Sequence, residues 1–281
     1  APEVVADWGE LGDVGIARAR QLGTVGAAGD LFADGSLGSH TAALREPYAD
    51  ADHRGHGYLT AAQVRDHVVA CTESGVQAGF HAIGDGALDA VAAGLDEAAG
   101  RLGADRVRAA RHRVEHVEMV SPDAVETLAR LGVVASVQPA FDRLWGGDSG
   151  MYAERLGVDR ALAMNPLAAM HAAGVVLALG SDSPVTPIDP WGSVLAAARH
   201  HTPSSRLSID VAFDAHTRGG WRAAGRDADG VLTAGAPATF AVWHTPAGID
   251  PTARLPVLEP DALPTCLRTV VRDTTVFDGT A

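Results

Sequence analysis

Gln77-Ala78-Gly79-Phe80-His81-Ala82-Ile83-Gly84-Asp85 runs as a short apolar strand, reaches an imidazole near its end and passes through glycine toward a helix. The same order returns downstream. Arg113-Val114-Glu115-His116 is a second strand closed by histidine, and Leu179-Gly180-Ser181-Asp182-Ser183-Pro184 leaves a third through a carboxylate. In parallel α/β folds, functional side chains gather at the carboxyl ends of strands. Three strand ends carrying metal-ligand residue types therefore predict a parallel α/β architecture with a site at one mouth.

Working outward, strand patterns cover residues 25–33, 77–82, 113–117, 133–137 and 175–179, with helical patterns between them. Thr60 is placed to cap a helix over 60–74 that stops at Gly75. Ser121-Pro122-Asp123 is a helix-start signal for 121–131, which stops at Gly132. Further helices are predicted over 87–102, 161–173, 190–200 and 209–224. Two connections, 34–59 and 138–159, are far longer than the usual handful of residues, and such loops commonly carry binding groups. After about residue 232 the pattern changes to strands over 238–244 and 266–272, joined by a Pro-rich stretch. The expected division is 1–232 for the α/β part and 233–281 for a small β part.

Strand alternation sharpens the site. Val176, Ala178, Gly180 and Asp182 share one face, as do His112, Val114 and His116, so Asp182 and His116 are expected at the rim of an inward-facing row. Each residue also has a plain reading. A lone histidine at a strand end is more often a hydrogen-bonded structural group, and an Asp before Ser-Pro can simply organise a turn. The ordered set of His, His and Asp, each at a strand end, tips the balance toward a metal site, because imidazole and carboxylate together suit zinc and related divalent ions.

Composition narrows the classes. The formal net charge of −13 over 281 residues argues against nucleic acid as a partner. No apolar run approaches the roughly 20 residues of a membrane span, and residues 1–12 have no signal-peptide pattern. The two cysteines, Cys71 and Cys266, are far apart and in no metal-like spacing; Cys71 reads as a buried thiol. These features fit a cytoplasmic setting and a small-molecule substrate, with homo-oligomerisation left open.

Beyond the single motifs, the chain resembles the YtcJ-like branch of the amidohydrolase superfamily, which includes N-substituted formamide deformylases. The resemblance rests on residues 31–39 (Leu-Phe-Ala-Asp-Gly-Ser-Leu-Gly-Ser), His81-Ala82-Ile83-Gly84-Asp85, Arg113-Val114-Glu115-His116, Gly180-Ser181-Asp182-Ser183-Pro184, Asp189-Pro190-Trp191 and Gly235-Ala236-Pro237-Ala238. It implies a (β/α)8 metal-dependent hydrolase barrel and a small β-sandwich built from both chain ends. His81, His116 and Asp182 would then stand on strands 5, 6 and 8, and the five strands here would be strands 4 to 8 only. It further implies one or two divalent ions, zinc first among them, and hydrolysis of a C–N bond of amide or formamide type, with Asp182 also moving the proton.

This sequence departs from the pattern twice. The strand 1 His-x-His pair is absent, so the missing N-terminal barrel segment is expected from elsewhere, since a five-stranded arc would present two raw edges. Asp30 stands where the branch commonly has a Lys that is often carbamylated, and Asp30 is expected to point inward as a further metal residue. Two rival readings stay open. One is a non-catalytic metal-binding or interaction module; the other is a doubly wound binding protein, for which Gly35-Ser36-Leu37-Gly38 is a poor phosphate loop.

Overall fold

The computed structural model describes residues 3–29 and 31–279; Asp30 lies outside the described residues. Five strands, β1 (Gly26–Ala27), β2 (Gln77–Ala82), β3 (Arg113–His116), β4 (Val134–Val137) and β5 (Val176–Leu179), are hydrogen-bonded in chain order, and every pair is parallel. Helices cross between them. Ala61–Ser74 begins with a reciprocal cap, in which Gln63 N–H donates to the Thr60 hydroxyl and the Thr60 N–H donates to the Gln63 side chain. Pro122–Arg130 begins at Ser121, whose hydroxyl accepts from Ala124 N–H.

The sheet has two unlike faces. Ala78, Phe80 and Ala82, Val114, Ala135 and Val137, and Leu177 and Leu179 merge with helix residues Val64, Val68, Leu95 and Leu128 into the main core. Burying a side chain the size of Phe80 contributes about 1.5–3 kcal/mol. The opposite face carries Gln77, Arg113, Glu115 and Ser136, tied by Arg113 donating to Glu115 (2.6 Å) and lying 3.6 Å from Asp7. Val176 and Ala178 also lie on that face, packed with Val134 and Ala223, as their alternation predicts.

Both outer strands have neighbours packed against them among the described residues. Residues 6–8 run parallel to β1: Val25 N–H donates to Ala6, Trp8 N–H to Gly26 and Ala28 N–H to Trp8. At the other side a π-helical turn, Ala215–Gly219, rests on β5. A Cβ on Gly219 would stand 2.2 Å from the Leu177 carbonyl oxygen, so only glycine permits this approach.

Several elements differ from their sequence patterns. Strand 25–33 shortens to two residues. The helix expected over 161–173 breaks into Val158–Leu162 and Leu167–Ala172, because Asn165 is left-handed (φ 49°) and Pro166 cannot continue a helix. The connection 138–159 is largely helical, as Pro139–Trp145, which ends at Gly146, and Met151–Leu156, between Gly150 and Gly157. Gly12–Leu22 and Ala104–Ala110 are helices with no counterpart in the sequence reading.

β6 (Phe240–His244), β7 (Thr265–Val271) and β8 (Thr274–Asp278) form a separate antiparallel sheet. Its Trp243 meets Trp191 of helix Pro190–Ala198 edge-on, with centroids 5.9 Å apart. Among the described residues no helix is long and apolar enough to cross a membrane.

Candidate functional site

The carboxyl ends of β2 and β3 open into a cavity of ≈ 410 Å³ lined by Phe32, His81, His116, Glu118, Phe141 and Asp182 among others. A roomier cleft of ≈ 850 Å³, between helices Pro122–Arg130 and Leu167–Ala172, offers only Glu126 and Arg130 as charged groups. The chemistry-bearing residues are at the strand ends.

His81 arrives there by regular pleating. Phe80 points into the core, so His81 points the other way, and its ring meets Phe32 at 4.7 Å. Its Nε2–H donates to the Gly35 carbonyl at 3.1 Å, which puts the ring lone pair on Nδ1. His116 arrives differently. Val114 faces the helices, and His112 is buried with Nδ1 accepting from Ala78 N–H; the row His112, Val114, His116 thus faces away from the cavity, contrary to the expectation. His116 and Val117 both have left-handed backbone (φ 74° and 52°), which swings the imidazole out of the pleat to the mouth. The His81 and His116 rings come edge to face at 4.5 Å.

A carboxamide fixes the second imidazole. Gln138 Nε2 donates to the Ser136 carbonyl at 3.2 Å, so its Oε1 faces His116 and accepts from Nδ1–H at 2.8 Å. The lone pair of His116 is then on Nε2. Such an outer partner sets ring orientation and tautomer.

The carboxylates take three different roles. Asp34, fully buried, accepts from the N–H groups of Ile83 (3.0 Å), Gly84 (2.8 Å) and Ala43 (2.8 Å), which pins the long 34–59 loop against the end of β2. Burial pushes its pKa up to about 6 despite these donors. Asp85 accepts from Arg45 N–H at 2.8 Å at the start of helix Asp85–Leu102. Asp182, also left-handed (φ 54°), is exposed at the lip of the cavity in a turn where Val185 N–H donates to its carbonyl.

Glu118 escaped the sequence reading. It is 2% exposed, lines the cavity and accepts from Tyr152 Oη at 2.7 Å. Burial pushes its pKa up to about 7, with Asp34 and Asp182 adding repulsion. Its partner is 34 residues away, so no local spacing marked it; the one signal was an acidic residue two positions after a strand-end histidine. Gln138 opens the long 138–159 connection, where the sequence pattern marks no ligand-orienting role.

The structure thus brings His81 and His116 together and sets Asp182 on the same cavity, while Asp30 is outside the described residues. Among the described residues, no three His, Cys, Asp or Glu side chains form a ready metal cluster. His200, just past helix Pro190–Ala198, is 1% exposed and lies 3.4 Å from Asp142.

The family model described as Amidohydrolase family matches residues 3–279. The chain belongs to the amidohydrolase family. It is 35% identical over 225 residues to protein LONG AFTER FAR-RED 3 of Arabidopsis thaliana, covering 76% of this chain and 38% of that protein. It is 30% identical over 248 residues to the putative amidohydrolase YtcJ of Bacillus subtilis (82% and 44%). At 25% identity over 198 residues it matches the N-substituted formamide deformylase of Arthrobacter pascens (68% and 35%). Among solved structures, an uncharacterized metal-dependent hydrolase from Pyrococcus furiosus superposes with a TM-score of 0.65 at 27% identity, over 78% of this amidohydrolase and 46% of that chain. The chain spans less than half the length of each of these relatives.

Proposed function

We propose that this amidohydrolase hydrolyses a C–N bond of amide or formamide type at the cavity where His81 and His116 meet. The observation that carries the reading is that ring contact at 4.5 Å, with each tautomer fixed by an outer acceptor. His81, His116 and Asp182 line the same cavity. Two imidazoles and a carboxylate are donors that fit a divalent metal, zinc first. His81, His116 and Asp182 would hold it, with Asp30 as the further carboxylate. The chain contains no lysine, and Asp30 stands where the resembled branch has one; this favours a single ion over a carbamate-bridged pair. Bound there, the ion supplies a water of lowered pKa and a polarised carbonyl.

The chain's own groups do the rest. Asp182 takes the proton from the attacking water and delivers it to the leaving nitrogen, so the C–N bond breaks to a carboxylate and an amine. Gly35 and Gln138 orient the imidazoles, and Phe32, Leu37 and Phe141 keep bulk water from the reacting carbonyl. In the same proposal the five parallel strands are strands 4 to 8 of a (β/α)8 barrel over residues 1–232. β6 to β8 are part of a β-sandwich over 233–281, and the strand 1 His-x-His comes from an N-terminal barrel segment outside this stretch. The test is elemental analysis of the purified chain, then amine release from a simple N-substituted formamide with the completing segment supplied. A folded protein that binds no divalent ion would overturn the reading.

A further inference from the structure

We infer that the cavity selects a substrate whose apolar frame carries a protonated amino group, seated against Glu118 within a run of aromatic rings. This rests on the hydrolytic reading of the same cavity and adds the chemical class of what enters it.

Glu118 is a carboxylate almost without solvent contact, yet it lines the cavity wall. Among the described residues its one side-chain hydrogen bond comes from Tyr152 Oη, at 2.7 Å, onto Oε2. A buried carboxylate with a single neutral donor is costly, and a cation seated against it from the cavity offsets the cost. The rings point to the same ligand. His116 stacks on Phe141 (5.9 Å, 15° between planes), Phe141 meets Trp145 at 4.8 Å, and Trp145 meets Tyr152 at 6.3 Å. The run begins at the imidazole of the reaction centre and ends at the phenol that holds Glu118. Aromatic faces attract an ammonium group, more strongly where water is excluded. At ≈ 410 Å³ the cavity is of the size that takes a small organic molecule.

The rival is a neutral Glu118 acid that donates to a carbonyl, or a Glu118 that is simply a metal ligand. The probes are benzylamine, protonated at neutral pH, and benzyl alcohol, its neutral near-isostere. Their binding to the chelator-stripped 281-residue chain is read by tryptophan fluorescence, with Trp145→Phe identifying the reporting residue. Benzylamine should bind on the order of tenfold or more tighter than benzyl alcohol, as loss of a charge-assisted contact implies. Glu118→Gln should erase that preference, and Phe141→Leu should weaken the amine more than the alcohol. Equal affinities in the wild-type chain would overturn the inference. So would a preference that survives Glu118→Gln, or a Glu118→Gln chain that loses its divalent metal. Should Glu118→Gln fail to fold by circular dichroism, the wild-type preference and the Phe141→Leu comparison decide alone. Amine preference without any hydrolysis leaves this inference standing and removes the hydrolytic reading; hydrolysis without amine preference does the reverse.

Discussion

His67 and His112 lie in the layer between the sheet and helix Ala61–Ser74, while His81 and His116 stand at the mouth of that same sheet. The buried pair is saturated by the fold. His67 accepts from Gly12 N–H at Nδ1 and donates from Nε2 to the Ala27 carbonyl, both at 2.9 Å. His112 accepts from Ala78 N–H and donates to the Thr72 hydroxyl, again at 2.9 Å. Burial lowers both pKa values, that of His112 to about 3, so both rings stay neutral. At the mouth, one nitrogen of each ring is fixed by an acceptor and the ring itself lines a cavity. The same residue type thus serves as a neutral brace in one place and as a candidate ligand in the other. What separates them is which groups the backbone directs at the ring.

The largest effect that would break the contrast is loss of metal. His81→Ala and His116→Ala should each lower metal affinity by more than the roughly 100-fold that losing an outer partner costs, read by competition with a chromophoric chelator. His67→Ala and His112→Ala should leave metal binding intact and instead cost about 2–4 kcal/mol in urea unfolding, through lost volume and orphaned amides. Equal metal loss in all four variants would dissolve the distinction. Next comes Asp182→Asn, whose side-chain oxygen should keep much of the metal while turnover of the completed enzyme falls by on the order of 10²–10⁴-fold. Near-normal turnover at full occupancy would remove Asp182 from the proton transfer. Gln138→Leu should then weaken metal binding by about 10–100-fold without unfolding the sheet; unchanged affinity would show that the backbone alone holds His116.

The smallest effect is in pH. Unfolded, His112 takes a proton below its ordinary value of 6.5; folded, it does so only near 3. Between those values the unfolded chain holds the extra proton, so acidification destabilises the native state by at most about 1.4 kcal/mol per pH unit for this group. Asp34 and Glu118, raised to about 6 and about 7, act the other way: their protonated forms favour the fold at low pH, and that contribution fades as pH rises through those values. The net slope mixes both signs, so the measurement is a difference. The stability deficit of His112→Gln against the parent chain should shrink as pH falls from 6.5 toward 3. A constant deficit would mean that His112 titrates normally in the native state.

Much of this was legible in the residues, and the rest was not for identifiable reasons. The sequence pattern gives β2 its full bounds and β3 to β5 to within a residue at either end: β4 and β5 are compact apolar runs behind a glycine, and β3 alternates polar and apolar residues up to His116. His81 follows from plain alternation behind Phe80. His116 was chosen correctly as a strand-end residue but given the wrong route, since period-two reasoning cannot see a left-handed residue that is not glycine. Glu118 was invisible because its environment is made by Tyr152, Asp34 and Asp182, none of them near it in the chain. The helices at Pro139–Trp145 and Met151–Leu156 were hidden because frequent glycines in that stretch read as loop.

The π-helical turn against β5 carries a consequence for what a randomised library can accept. Gly219 and Gly220 are adjacent and identical in sequence, yet an added Cβ at 219 would meet the Leu177 carbonyl oxygen at 2.2 Å and one at 220 would meet nothing within 4 Å. Selection for folded protein should therefore return a single permitted codon family at 219 and a broad alphabet at 220. Alanine at 220 should even enrich, by helix propensity worth about 0.5–1 kcal/mol. Two neighbouring glycines would then show opposite tolerance, one kept by a strand edge and the other by nothing around it.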